Sequence, residues 1–388
     1  MPFLAPAQIA AHARAAGRLG IDTEFMGEGR YQSLLCLVQI AVETGDGEIA
    51  VSILDPLEGN LDHAPLAAVL ADPEVEIVMH AGRQDVGLLR RSWSTEITNL
   101  FDTQVAAGFA GLRAQLGYEA LVSEVLGERL QKSASFTKWD ARPLSDEQVV
   151  YAREDVLHLL QLSSALQQRL EGLGRLGWAR EECRVLESIS DAREPETVFA
   201  RLPKINSLEP AARAVAFELV VWREGVAREG NRPVQPVLAD AALVEIAKRK
   251  PSSAERLGQI RGLHEGTLRR RGPALLAAVE RGREREPITV DEARGPRPES
   301  EDAPLIAMCE VLVRTRAREA EVAYELLAAR ADLQQVVTAA RTGGPEPDVR
   351  TLQGWRRDVV GAELLELLAG RRSLRVGGDR RVTVAVES

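Results

Sequence analysis

The stretch that decides the fold is LGIDTEFMGEGRYQSLLCLVQIAVETGDGEIAVSIL, residues 19–54. It contains three short runs rich in Val, Ile and Leu, which predict strands over Leu19–Phe25, Leu34–Val42 and Glu48–Leu54. The Gly-Asp-Gly sequence at residues 45–47 is typical of a hairpin turn. The second and third strands are therefore expected to be joined by that turn within a larger sheet.

The segments after this stretch alternate between a further strand and helices. A fourth strand is predicted over Glu76–Met79. Helical patterns follow over Leu66–Leu70, Asp85–Arg91, Thr103–Phe109, Tyr118–Leu126 and Ser145–Leu170. In the last of these, Ser145 and Gln148 form a capping-box pattern that marks the start of the helix. This order of elements predicts an α/β layer fold with a mixed sheet.

Helical periodicity dominates after Arg193, where the strand patterns stop. Residues 191–203 and 287–304 predict two linkers. Residues 239–279 and 329–368 each combine a helix, a Pro-containing turn and a final apolar helix, which is consistent with a duplicated helical module. We therefore predict a first domain at 1–190 and two all-α domains at 204–286 and 304–388. A cut near Pro203 is expected to leave an active but more weakly binding first domain.

Charge and composition restrict the class of protein. The chain has 388 residues, too many for one core, and a net charge of −9. The charge is uneven, since between Ile205 and Glu286 we count about 15 Lys and Arg against about 11 Asp and Glu. No apolar run reaches the roughly 18–20 residues that cross a bilayer, and the N-terminus lacks a signal pattern. A cytoplasmic protein without a membrane partner is the expectation.

Four acidic residues are the candidate site. Asp22 and Glu24 are two apart on a predicted strand, so both point to one face. Asp85 follows the fourth strand, and Asp155 lies on the last predicted helix, one turn after Tyr151. Any one of these acids alone would be an ordinary cap or surface residue. Their combination in this order predicts a single acidic pocket.

Such a pocket requires cations. Two carboxylates about 4 Å apart repel by about 4 kcal/mol at an effective dielectric near 20. Hard oxygen ligands and the lack of a His/Cys cluster favour Mg²⁺ or Mn²⁺ over zinc. Two such ions clamp the attacking and leaving oxygens of a phosphodiester. Tyr151, beside Asp155, is placed to orient the attacking water or, with metal assistance, to help deprotonate it. Asp102 is expected to cap the helix beginning at Thr103 rather than bind metal.

The candidate residues stand in motifs that resemble those of a known family. Three sequences resemble the exonuclease motifs of ribonuclease D, in the DEDD superfamily: DTEF at 22–25, HAGRQD at 80–85 and YAREDV at 151–156. Three further stretches are similar to inter-motif stretches of that family: ILDPL at 53–57, FDTQVAAGFAG at 101–111 and KSASFTKWDARPLS at 132–145. Residues 208–282 resemble its HRDC domain, and the chain from about residue 305 onward resembles a second, HRDC-like domain.

The resemblance implies a ribonuclease H-like α/β exonuclease domain with a mixed sheet, followed by two all-α HRDC-type helical domains. It implies that Asp22, Glu24, Asp85 and Asp155 bind two divalent metal ions, Mg²⁺ or Mn²⁺. Tyr151 places the chain in the tyrosine subgroup and is implied to contact the nucleophilic water. The implied activity is removal of 5′-mononucleotides from RNA 3′ ends, including those of tRNA precursors, by a monomer.

Two alternatives remain open. The same site cuts DNA as well as RNA, so a DNA-directed 3′→5′ exonuclease is one. The other is a catalytically inactive RNA-binding protein, which is disfavoured because all four carboxylates and Tyr151 are present.

Seven side chains are candidate nucleic-acid contacts. Phe25, directly after Glu24, either wedges against the terminal base or is a buried strand residue. Three residues in the loop before the third motif offer phosphate and base contacts, although Trp139 is equally suited to be a core anchor. These loop residues are Lys138, Trp139 and Arg142. The others lie in the basic part of the first helical domain: Lys248, Lys250 and Arg269.

Overall fold

The computed structural model describes residues 4–59, 61–113, 115–130, 138–263, 265–289 and 299–386. Residues 132–137 of the family-like stretch at 132–145 therefore lie outside the described residues. Residues 290–298 of the second predicted linker lie outside them as well.

A five-stranded mixed sheet forms the centre of the first part of the chain. Its strands are β1 (Arg18–Met26), β2 (Leu34–Glu43), β3 (Ile49–Leu54), β4 (Glu76–Met79) and β5 (Leu100–Asp102). They are ordered β3-β2-β1-β4-β5, with β2 antiparallel to β1 and β3, and with β4 parallel to β1 and β5. The four predicted strands and the mixed sheet are confirmed. The sequence does not indicate β5, because three residues are too few for a strand pattern.

Eight helices belong to this first part of the described chain. They are α1 (Pro6–Ala16), α2 (Ala64–Leu70), α3 (Arg83–Trp93), α4 (Thr103–Phe109), α5 (Tyr118–Leu126), α6 (Asp146–Leu157), α7 (Leu159–Gly172) and α8 (Leu176–Glu187). The single helix predicted over Ser145–Leu170 is wrong in one respect, since His158 separates α6 from α7. Within the described residues, no helix is both long enough and apolar enough to span a bilayer.

The two faces of β1 have different partners. Leu19 and Ile21 are buried in an apolar cluster with α1, α2 and α3. Gly20 faces the other way, where an added Cβ would lie 3.3 Å from the Cβ of Leu159 and 3.4 Å from that of Ala41. The missing side chain lets α7 approach the sheet closely. The helix pair α6 and α7 is thereby held against the face that carries Asp22.

The second part of the chain is helical. It comprises α9 (Pro195–Ala200), α10 (Pro210–Glu229), α11 (Asp240–Arg249), α12 (Ala254–Gly258) and α13 (Glu265–Glu284). Leu219, Leu243 and Leu275, from three of these helices, are fully buried in one cluster. The predicted linker at 191–203 is wrong in its second half, because α9 lies there and Phe199 packs edge-to-face on Phe217.

The third part is helix-rich but does not consist of helices alone. It comprises α14 (Asp302–Glu319), α15 (Tyr324–Leu327), α16 (Arg330–Thr342), α17 (Gly354–Arg356), a π-helical turn (Arg357–Gly361), α18 (Ala362–Leu368), β6 (Arg372–Val376) and β7 (Val382–Val386). The last two strands form an antiparallel hairpin. The prediction of helices is confirmed for this region, and the hairpin is an addition to the predicted all-α architecture.

The third part shares one hydrophobic core with the first. Trp355 stacks on Trp178, with ring centroids 5.2 Å apart, and meets Phe109 edge-to-face at 4.9 Å. Beside them, the guanidinium of Arg356 lies 2.5 Å from the carboxylate of Glu182. A cut near Pro203 would remove one side of this core and expose the rest to water. The first part therefore shares its core with the third, and the activity of a chain cut near Pro203 stays a prediction.

A buried polar contact joins the first part to the second. Tyr31, in the loop after β1, donates its hydroxyl to the Glu224 carboxylate of α10 at 3.0 Å. Arg193 donates to the same carboxylate at 2.8 Å, and Arg223 lies 3.5 Å from it. Glu224 is only 1% exposed, so its charge depends on these three partners. This contact holds the first helical module against the loop that follows Glu24.

Replacing Glu224 by Gln should destabilise the protein. The amide would leave two arginines beside a site without negative charge, and removing one partner of a buried ion pair costs about 3–5 kcal/mol. Urea-induced unfolding followed by circular dichroism measures the loss. The matched control is Glu280→Gln, at an exposed i,i+3 pair with Arg283, where less than about 1 kcal/mol is expected. Equal effects of the two substitutions would contradict the structural role of Glu224.

Candidate active site

Two acids lie on the central strand of the sheet. Asp22 is paired with Gln39 of β2, and Glu24 is paired with Leu37, so both carboxylates leave the same face of β1. The register shifts between Glu24 and Phe25, which places a bulge directly after the second acid. Both acids are half-buried. The strand therefore presents two carboxylates side by side at the face that α6 covers.

The third acid, Asp155, lies on α6. The capping box at its start is confirmed, because Ser145 Oγ accepts the Gln148 N–H at 3.2 Å and Gln148 Oε1 accepts the Ser145 N–H at 3.0 Å. Starting the helix at this residue sets which positions face the sheet. Tyr151 and Asp155, one turn apart, then share a side-chain hydrogen bond.

Asp22, Glu24 and Asp155 converge in one place. Each contributes a carboxylate oxygen to a group in which all three oxygens lie within 4.8 Å of one another. Residues from β1 and α6 are distant in sequence, so only the packing of the helix on the sheet brings them together. Three of the four predicted carboxylates are thus gathered around one point.

Asp85, the fourth, stands beside this group rather than within it. It lies in the first turn of α3, is 8% exposed and accepts a hydrogen bond from the hydroxyl of Thr23. Thr23 lies between Asp22 and Glu24 on β1 and points to the opposite face of the strand. This hydrogen bond holds Asp85 beside β1, where its charge helps to raise the pKa of Asp22.

Asp102 holds the loop that precedes α3. As predicted, it caps α4, accepting from the N–H groups of Gln104 at 2.8 Å and Val105 at 3.1 Å. It also accepts from the N–H groups of Ala81 at 3.2 Å and Gly82 at 2.8 Å. The sequence does not indicate this second pair, because it joins segments that meet only through the parallel pairing of β4 and β5.

The surroundings of the three clustered carboxyl groups disfavour their ionised forms. Burial, followed by the charges of Asp85, Asp155 and Glu24, raises the pKa of Asp22 well above its usual value. Burial and then the Asp155 and Asp85 charges raise the pKa of Glu24 to about 8. Burial also raises the pKa of Asp155 to about 7, against the hydrogen bond from Tyr151. A bound cation would reverse these penalties.

The donor set fits a hard divalent cation. It consists of carboxylate oxygens, which Mg²⁺ and Mn²⁺ prefer. The group contains no His or Cys side chain, the ligands that zinc would favour. The three oxygens lie close enough together to bind one ion in common. These residues therefore offer a site that could hold a metal ion.

Two of the predicted nucleic-acid contacts are corrected. The Trp139 ring is 3% exposed and packs in an apolar cluster with Leu37 and Ala152, so it is a core anchor and not a stacking platform. Arg142 donates all five of its N–H groups within the protein, including a pair to the carboxylate of Asp55. No donor of Arg142 is left for a phosphate.

The other predicted contacts are accessible to different degrees. Phe25 is half-buried beside the apolar cluster of β1 with α1, α2 and α3, and Lys138 is exposed. On the second part of the chain, Lys248 and Arg269 are exposed, whereas Lys250 is half-buried at the end of α11. Their contact with nucleic acid stays a prediction.

Sequence comparison matches two regions of the chain to known families and finds relatives that are similar over most of its length. Residues 5–171 match the family described as 3′-5′ exonuclease, and residues 212–279 match the HRDC domain. The chain is 38% identical over 369 residues to a ribonuclease D of Gluconacetobacter diazotrophicus, covering 93% of this chain and 90% of that one. It is 39% identical over 368 residues to a ribonuclease D of Granulibacter bethesdensis, covering 93% and 89%.

A solved structure agrees with these sequence matches. The crystal structure of Escherichia coli RNase D, described as an exoribonuclease involved in structured RNA processing, superposes with a TM-score of 0.79 at 29% identity. The alignment covers 95% of this chain and 99% of that chain, so it includes the sheet, the first helical module and the helix-rich C-terminal region. With its fold, its acidic site and its full-length relatives all in agreement, the chain belongs to the ribonuclease D family of exoribonucleases.

Proposed function

We propose that this protein removes 5′-mononucleotides from RNA 3′ ends with the aid of two divalent metal ions, Mg²⁺ or Mn²⁺. The observation that carries the proposal is the convergence of Asp22, Glu24 and Asp155 oxygens within 4.8 Å. Asp85 completes the set as a ligand that approaches from α3. Asp85 already adds to the charges that raise the pKa of Asp22, which supports its inclusion.

The side chains of the site have separable tasks. When bound, the ions supply positive charge that offsets the acids, activates water and stabilises the leaving oxygen of the phosphodiester. Burial, followed by the charges of Asp155 and Glu24, raises the pKa of Tyr151 above its usual value. Its phenol therefore stays protonated at neutral pH. Tyr151 acts as a hydrogen-bonding group that orients the attacking water, not as the base that deprotonates it.

Structured RNA is the proposed substrate class. The E. coli relative is described as an exoribonuclease involved in structured RNA processing. We propose that tRNA precursors with 3′ extensions are among the structured RNAs that this protein processes. We propose that the protein works as a monomer with a nuclease domain at 1–190, an HRDC domain at 204–286 and an HRDC-like domain at 304–388. Lys248 and Arg269, which are exposed, and Lys250, which is half-buried, are candidate phosphate contacts in the HRDC domain.

The direct test compares RNA and DNA of one sequence. Each polymer is labelled at its 5′ end and incubated with Mg²⁺, with Mn²⁺ or with EDTA. We expect a ladder that shortens from the 3′ end of RNA with both metals, and none in EDTA. Degradation of DNA alone would favour the DNA-directed alternative. Binding of RNA without hydrolysis in either metal would refute the proposed reaction.

Asp155→Asn should abolish turnover. The amide keeps the size and one acceptor oxygen of the side chain but removes a charged ligand from the group of three. Single-turnover hydrolysis of labelled RNA at saturating Mg²⁺ measures the loss. Glu147→Gln, at an exposed position in the first turn of the same helix, is the control and should keep wild-type activity. Wild-type turnover in the Asp155 variant would rule out its role as a metal ligand.

The same variant should be more stable than the wild type without metal. Folded Glu24 and Asp155 hold protons up to about pH 8 and about pH 7, whereas unfolded carboxyls ionise near pH 4. The folded state therefore binds more protons, and stability is lost as the pH rises through that window. Melting in EDTA across about pH 4–9 should show a shallower loss for Asp155→Asn. Parallel curves for the two proteins would contradict the predicted repulsion.

Tyr151→Phe should slow hydrolysis without preventing metal binding. It removes the hydroxyl that orients water, and misplacing a reacting group by about 1 Å costs about 10²-fold in rate. The rate constant of RNA cleavage should fall by that factor, while Mg²⁺ binding measured by calorimetry stays close to the wild-type value. A variant that loses metal affinity and rate together would point to a structural role for the tyrosine instead.

A further inference from the structure

A buried glutamine lies directly beside the acidic cluster. Gln39, in the middle of β2, is the register partner of Asp22 on one side and of Ile53 on the other. Paired residues on antiparallel strands project to the same face, with Cβ atoms about 4.5–5.5 Å apart. The Gln39 side chain therefore lies in the same layer as the Asp22 carboxylate, beneath α6.

The amide of Gln39 has no partner among the described residues. The side chain is 0% exposed, and both Nε2 and Oε1 lack a hydrogen bond. Each buried polar group left without a partner costs about 1–3 kcal/mol. A purely structural residue at this position would be apolar, as its neighbours Leu37 and Ala41 on the same strand face are. The cost indicates that the amide serves something other than packing.

The surroundings of Gln39 leave few directions for its hydrogen bonds. On one side lies the apolar cluster that includes Leu37, Trp139 and Ala152. On the other side lies the cluster that includes Ala41 and Val156. The tyrosine hydroxyls of these clusters are engaged elsewhere: Tyr151 shares a hydrogen bond with Asp155, and the Tyr118 hydroxyl accepts the His158 N–H at 3.2 Å. Ile53 carries no polar side-chain atom. Of the two strand partners of Gln39, only Asp22 carries hydrogen-bonding side-chain atoms.

We propose that Gln39 is a positioning residue that donates its amide N–H to the Asp22 carboxylate, directly or through one water molecule. This inference rests on the proposed function of the acidic cluster. A ligand carboxylate has two oxygens, and a neutral donor on one of them turns the other toward the metal. An amide suits this task because it adds no charge to a crowded acidic pocket. Partners of this kind are worth about 10–100-fold in metal affinity or activity.

Gln39→Met tests the proposal, because it keeps the volume of the side chain and removes the amide. Mn²⁺ and Mg²⁺ binding is measured by calorimetry, and melting is measured in EDTA. We expect metal affinity to fall by about 10–100-fold while the melting temperature in EDTA holds or rises, since two unpartnered atoms are removed. Ile53→Met, at the strand partner of Gln39 on the side away from Asp22, is the packing control and should keep wild-type metal affinity. Unchanged affinity in the Gln39 variant would overturn the proposal.

Gln39→Glu is a second, independent test of the position of this side chain, for use if the methionine variant folds poorly. A carboxylate at this place would face Asp22 across the strand pair, where like charges are destabilising. We expect a lower melting temperature in EDTA and a larger rise on adding Mg²⁺ than in the wild type. A variant that melts like the wild type under both conditions would show that the side chain does not face Asp22.

These measurements separate this inference from the proposed function. If the wild type binds metal but releases no mononucleotides from RNA, the proposed reaction fails while the role of Gln39 toward the metal is still decided by calorimetry. If the wild type degrades RNA and Gln39→Met binds metal normally with the wild-type rate, only the role of Gln39 fails.

Discussion

Like charges held together in a partly dry pocket are the constraint on which this structure depends. Carboxylate oxygens of Asp22, Glu24 and Asp155 come within 4.8 Å of one another. Burial raises the pKa of each group, and the charges of neighbouring acids raise it further. Such a cluster does not assemble on its own account, because repulsion drives the side chains apart. The backbone elements that carry the acids must be held from outside the site.

The packing around α6 supplies that support. Its start is set by the Ser145 capping box, and Trp139 anchors the chain just before it in an apolar cluster with β2. Arg142, bound to Asp55 and to three backbone carbonyls, ties the same segment to the end of β3. Residues that at first suggest RNA contacts thus serve to hold the helix that delivers Asp155 and Tyr151. Their polar and aromatic groups are used within the protein, where they add rigidity to the site.

The support extends into the helical parts of the chain. The third part completes the core beneath α4, α7 and α8 through Trp355, and the second part is joined to the loop after Glu24 through Glu224. Helical modules that accompany a nuclease are often regarded as binding accessories. In this protein they also bury surface that the nuclease part would otherwise expose. A truncation that removes the helical parts therefore also removes packing from the nuclease part.

The sequence by itself determined the elements and the chemistry of the site. Alternating apolar residues, the Gly-Asp-Gly turn and the capping box act over a few positions, so they identify the strands, the hairpin and the start of α6 from local pattern alone. The spacing of Asp22, Glu24, Tyr151 and Asp155 similarly indicates which side chains share a face. The tertiary structure decided what depends on distant neighbours: the burial of Trp139, the pairing of Arg142, the contact of Thr23 with Asp85 and the core shared by the first and third parts. These contacts join segments far apart in the chain, and no short-range pattern specifies which long-range partners will meet when the layers pack.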